Sequence, residues 1–178
     1  TVTSNGGIVD AAADVLSRVL VTDSEELDVY DGGEALHVNM SPDASATIYA
    51  GGVGSDVQGG TIVVLSGGLL TGGTETSGTY SHVSSGGDVS GVTIGSSAVL
   101  RIWAGGRGED ITVENGGDVW QHAGVLSHVV LEKSGYLGVS AAASAVEGAI
   151  HGGSGRVAGV GRDYTRILHT LPGPRDRP

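Results

Sequence analysis

The chain has 178 residues, a formal net charge of −11 at pH 7, 33 glycines, and neither phenylalanine nor cysteine. This composition excludes the large-aromatic core of an ordinary domain of this length, and any disulfide or thiolate metal site; one domain with a narrow interior of small residues remains. Charge is unevenly divided: up to Gly155, 4 basic and 18 acidic side chains give −14, whereas from Arg156 onward 5 basic and 2 acidic give +3.

From the N-terminus, Ile8 to Leu20 admits two readings. Ile8, Ala12, Val15, Leu16 and Val19 follow helical spacing, so a capping helix fits. An ungapped slide by 73 residues instead lays Leu16 on Val89, Val19 on Val92, Val21 on Ile94 and Val29 on Ile102, which makes the same stretch part of a repeat. Further along, Gly32-Gly33 and Gly51-Gly52 are 19 apart, and Gly67-Gly68, Gly86-Gly87 and Gly105-Gly106 keep the same interval. A slide by 54 pairs Val38 with Val92, Met40 with Ile94, Ile48 with Ile102 and Tyr49 with Trp103. The pattern persists through Gly116-Gly117 and Ser134-Gly135 to about Gly153.

Within each unit the apolar residues alternate, as in Leu27-x-Val29, Ile62-x-Val64, Leu100-x-Ile102 and Ile111-x-Val113, which is the period of a strand buried on one face. Gly, Asn, Asp and Ser punctuate these runs as turns, so strand, turn, strand, turn is expected to close one coil. The predicted fold is all-β: a right-handed parallel β-helix of about 19-residue rungs over 1–155, the hand following from the preference of parallel crossovers. Seven or eight rungs give a rod roughly 35–40 Å tall. Residues 156–178, with five arginines and three prolines but no repeat, read as a basic linker or disordered tail. An acidic rod repels phosphate backbones, so nucleic acid is not expected as a partner. No apolar run is long enough to cross a membrane as a helix, and no secretion signal opens the chain at Thr1, which reads as a piece of something longer.

Four groups of residues are candidates for chemistry. Gly51-Gly-Val-Gly-Ser-Asp56 and Gly105-Gly-Arg-Gly-Glu-Asp110 match the start of a calcium-binding nonapeptide. They lie three rungs apart, however, and cannot share an ion, so Asp56 and Asp110 are weak calcium candidates and no metal or cofactor is expected. Tyr30, Tyr49 and Trp103 occupy one slot, just after an inward Val or Ile, and alternation aims them outward. They form a candidate aromatic ledge for stacking on a sugar ring, or else stack on each other. Clustered acids at Asp23, Glu25 and Glu26 and at Glu109 and Asp110 read as a solvated rim. Short turns leave no groove wall for paired catalytic carboxylates, so no enzyme is predicted. Of six scattered histidines, His122 and His128 are the pair that one coil would bring near each other, though surface positions fit them better than a metal pair.

Segments such as His82-Val-Ser-Ser-Gly-Gly-Asp-Val89, Thr112-Val-Glu-Asn-Gly-Gly-Asp-Val119 and Val64-Leu-Ser-Gly-Gly-Leu69 resemble the repeats of AIDA-type autotransporter adhesins of Gram-negative bacteria. The resemblance covers roughly Val15 to Gly153. It implies a non-catalytic passenger displayed extracellularly at the bacterial surface, meeting host cells or like passengers on neighbouring bacteria. It also implies a heptosyltransferase as partner, with Ser66, Ser84 and Ser85 in the Ser-Gly-Gly turn as candidate glycan acceptors. Asp31, Ala50, Ala104 and Asn115 occupy the acceptor slot elsewhere, which argues against a dense glycan coat. The alternative is a spacer or fibre segment, like a tail-spike or stalk, with no ligand of its own.

Overall fold

The computed structural model describes the backbone of residues 2–3, 8–75, 78–132, 134–140, 143–150, 154–157 and 167–169, and side chains from 10 to 140, bar 76, 77 and 133, together with 143. Among these residues there is no helix and every strand pairing is parallel. Ile8–Ala11, Val15–Ser17 and Val19–Val21 are strands in register with later rungs, so the N-terminal stretch is a rung and not a capping helix.

Each coil has three faces rather than the two that the spacing of turn residues suggests. Glu34–Met40 is one strand by its hydrogen bonding, yet it turns a corner at His37, whose φ is +52°. Val53–Gln58 turns likewise at Asp56, and Gly124–Leu131 at His128. A single left-handed residue swings the strand from the first face to the second while the ladder runs on; Gly72 and Gly91 supply it on two rungs, but His37, Asp56, Asp110 and His128 supply it on others, so no regular glycine marks the corner in the sequence. The third face is a nine-stranded sheet that includes Glu26–Val29, Ser45–Ile48, Thr61–Val64, Tyr80–Val83, Val99–Ile102, Asp118–Gln121 and Tyr136–Val139.

The glycine pairs form the corner between the third and first faces. Gly51 has φ +77°, a left-handed conformation that L side chains rarely adopt. Gly52 is required for a different reason: a methyl group there would run into the carbonyl oxygen of Val29 on the rung below. The corner thereby continues the axial ladder, with Gly51 N–H donating to Gly67 O at 2.9 Å and Gly86 N–H to Gly105 O at 2.9 Å. Gly52→Ala is expected to cost about 1–3 kcal/mol in urea unfolding, whereas Ala50→Ser at the exposed neighbouring position should change stability by less than about 0.5 kcal/mol.

The core is a bundle of columns. Val29, Ile48, Val64, Val83, Ile102, Gln121 and Val139 stand above one another through the third-face register. Each rung balances this column against its neighbour at the start of the first face. Val29 accompanies Ala35, but the longer Ile48 and Ile102 accompany glycines, Gly54 and Gly108. A Cβ on Gly54 would stand 2.6 Å from Ile48 Cδ1, and one on Gly108 2.7 Å from Ile102 Cδ1. The interior therefore holds its volume from rung to rung although the residues change.

Pairing continues past residue 155. Ser154–Val157 joins Tyr136–Val139, and Ile167–His169 joins the strand Ser144–Ile150. The boundary expected after residue 155 falls inside the first of these strands, and the rest of 156–178 lies outside the described residues.

Candidate functional site: one aromatic face

On the third face every second side chain points away from the core, giving three outward slots per rung. The last holds Tyr30, Tyr49, Leu65, Ser84, Trp103, His122 and Ser140, each backbone N–H donating to a carbonyl on the rung below. The expected ledge is thus one column, but its members do not stand together. Tyr30 and Tyr49 stack, with centroids 4.6 Å apart and planes 21° apart. Trp103, three rungs above Tyr49 and 42 % exposed, stacks instead on His122 at 4.4 Å and 11°.

Other aromatic residues fill the remaining slots of this face. Tyr80 and Tyr136 occupy the first slot and Trp120 the second, so all six described Tyr and Trp side chains lie here. Their parity was readable, since each stands an odd number of residues from an inward neighbour on its own strand: Val83, Val119 and Leu137. Arg101 lies over the Tyr80 ring at 4.9 Å and donates from Nη2 to its hydroxyl at 3.3 Å. Trp103 Nε1 donates to His82 Nδ1 at 3.4 Å. Burial, then the Arg101 charge, holds the His82 imidazole below its usual pKa. Tyr30 donates to Asp28 Oδ2 at 3.0 Å, and chiefly through that bond its phenol is pushed up to about 12.

Between Trp120 and Tyr136 the face opens into a cleft of about 230 Å³, also lined by His122, Gly138 and Ser140. The two rings are 5.0 Å apart and inclined at 46°. Gly138 makes this possible, because it is in register with Trp120 and a Cβ on it would lie 2.7 Å from the indole Cε3.

The remaining candidates lie on corners. Ser66 and Ser85 are exposed side by side on neighbouring rungs, just ahead of their glycine pairs, while Ser84 sits half-buried in the slot below Trp103. Asp56 meets His37 Nδ1 at 2.8 Å, and that bond, followed by one from Gln58, lowers its pKa. Asp110, three rungs away in the same corner, is 3.8 Å from His128 Nδ1, which also lies 3.6 Å from Glu109. Both aspartates have a φ near +52°, so each forms the bend itself. Among the described residues no three His, Asp or Glu side chains gather as a metal site. His122 and His128 go to different places, one to the aromatic face and one to a corner. Glu25 departs from the expected acidic rim: it is buried, and its carboxylate accepts from the Thr22 N–H at 2.9 Å across the turn.

No protein-family profile and no curated protein matches the sequence. The fold does have a solved counterpart. The crystal structure of a TibC-catalysed hyper-glycosylated TibA fragment superposes with a TM-score of 0.75 at 25% sequence identity, over 86% of this chain. The match takes in 60% of the TibA fragment, so this chain spans less than two thirds of its length. The shared architecture is a stack of parallel coils. Among the described residues no helix is long and apolar enough to cross a membrane.

Proposed function

We propose that this chain is a non-catalytic segment of an adhesin passenger displayed extracellularly on a bacterial surface. Its structural likeness to a glycosylated fragment of the same architecture carries this reading, and the repeat resemblance to AIDA-type adhesins agrees with it. The rod offers outward side chains, Tyr30, Tyr49 and Trp103 among them, to a host-cell surface or to like rods on neighbouring bacteria. Ser66, Ser84 and Ser85 are its glycan acceptors, and a heptosyltransferase is its modifying partner. Ser66 and Ser85 suit that role best because their hydroxyls stand exposed at a corner.

Intact-mass measurement on protein from the native host tests the reading. Heptose increments that disappear in Ser66→Ala and Ser85→Ala support it; an unmodified, tightly trimeric chain favours a fibre or stalk segment instead. If like rods associate, their excess of acidic groups must first be screened. Sedimentation should then show association growing as ionic strength rises from well below 0.1 M, where the Debye length exceeds about 10 Å, to physiological salt. Association that weakens over that range argues against contact between like rods.

A further inference from the structure

We propose that the cleft between Trp120 and Tyr136 is a binding site for one uncharged sugar ring, such as a terminal neutral hexose of a glycan. The inference deepens the adhesin reading by naming a ligand class, and it places the site away from the Tyr30–Tyr49 stack, where each ring already covers a face of the other.

The cleft differs from the rest of the aromatic face. Elsewhere the second outward slot carries a side chain, as at Asp28, Thr47, Val63, His82 and Arg101, but over Trp120 the register places Gly138. The indole leans into that vacancy, and its 46° inclination to Tyr136 leaves two ring surfaces converging on one space. Trp120 remains 38 % exposed, although it touches a neighbouring ring.

The chemistry of the lining selects the ligand. Aromatic faces carry partial negative charge and attract polarised C–H groups, which a pyranose presents on one side of its ring. Hydroxyl groups need donors and acceptors at the rim; the His122 imidazole lies there, as does the Ser140 hydroxyl oxygen, which can accept while its own proton goes to the His122 carbonyl. Among the residues whose side chains are described no Asp, Glu, Lys or Arg lines the cleft, and the backbone register sets Arg156 over Gly138 on the next rung. The rod around it carries −14 up to Gly155, which disfavours sialic acid and uronic acids. At about 230 Å³ the space suits a single ring and falls short of the roughly 300–1,000 Å³ typical of drug-sized ligands. One small, open site implies weak binding, with useful strength reached only when many rods engage together.

Methyl glycosides of glucose, galactose and mannose, with glucuronic acid and N-acetylneuraminic acid as charged comparisons, are titrated into the full chain while tryptophan fluorescence and amide chemical shifts are followed. At least one neutral glycoside is expected to bind with millimolar affinity, shifting the amides of Trp120, Tyr136 and Gly138. The acids should bind about tenfold more weakly or not at all, and Trp120→Ala should weaken binding by about tenfold. Gly138→Ala, which displaces the indole without removing it, should do the same. Tyr136→Ser serves if a Trp120 variant fails to fold by circular dichroism. The proposal is overturned if folded wild-type chain binds none of the neutral glycosides, if binding survives both Trp120→Ala and Gly138→Ala, or if the shifts follow protein concentration instead and so report a second copy of the chain. Loss of heptose modification or of cell adherence would sink the adhesin reading while leaving this titration unaffected, so the two fail separately.

Discussion

Glu75→Gln is expected to stabilise the fold by about 3 kcal/mol near pH 9 while changing little near pH 4, as measured by urea unfolding at each pH. Glu75 is paired with Ile94 in an inward column, 1 % exposed, and neither carboxyl oxygen has a hydrogen-bond partner among the described residues. Burial raises its pKa from 4.5 to about 7; the Ser81 hydroxyl, near enough to oppose the shift but outside hydrogen-bonding geometry for either oxygen, offsets part of it. Because the folded pKa exceeds the unfolded one, the unfolded chain releases its proton first as pH rises. The native state is therefore unpenalised below about 4.5, loses stability between 4.5 and 7, and carries the full cost above 7. Glutamine keeps the shape and removes the ionisation. Equal stabilities of wild type and Glu75→Gln near pH 9 would mean that the carboxylate is solvated or paired.

Ile102→Ala is expected to lower stability by about 2–5 kcal/mol, because Ile102 is fully buried and the rungs above and below cannot close over the void without breaking their own ladder. A sharper form of the same test uses Gly108. Gly108→Ala alone should cost about 1–3 kcal/mol, since the new methyl would meet Ile102 Cδ1 and Leu126 Cδ1 at 2.7 and 2.8 Å. Ile102→Val alone should cost about 0.5–1.5 kcal/mol. Together they recreate the Val29 and Ala35 pairing of an earlier rung, so the double variant should be more stable than the sum of the single losses implies. Strict additivity in the double-mutant cycle would show that the two positions do not share a space.

The solenoid was legible because its determinants repeat. Glycine pairs recur wherever backbone closely approaches the rung below, and the inward Val, Ile and Leu follow from strand parity. The third corner was not legible, because His37 and His128 bend a continuous strand with no residue type that announces a turn, and Asp56, Gly72, Gly91 and Asp110 fill the same position singly, with no recurring pair to reveal it. Glu75 escaped notice for a related reason. The interval from Gly51-Gly52 to Gly67-Gly68 is 16 rather than 19, so slides by 54 and 73 do not show which slot Glu75 fills. Its rung follows one where Gly59 supplies no side chain to the column. Parity fails at corners as well, which is how Glu25, read as part of a rim, came to cap a turn. On the aromatic face one slot was found and two were missed, because Tyr49 aligns with Trp103 under the slide whereas Tyr80, Trp120 and Tyr136 align with non-aromatic residues. The glycine at 138 that opens the cleft looks from the sequence like any other of the 33.

The stacking of equivalent positions is tested most directly by measuring distances between spin labels on one outward column. Ser17, Leu36, Ser55, Thr71, Ser90, Glu109 and Ser127 follow one another in register on the first face. Four steps separate Ser17 from Ser90 and six separate it from Ser127. At about 4.8 Å per step, labels on Ser17→Cys/Ser90→Cys should lie roughly 19 Å apart and those on Ser17→Cys/Ser127→Cys roughly 29 Å, both with narrow distributions. Equal separations in the two pairs, or a broad distribution in either, would contradict a chain coiled in register.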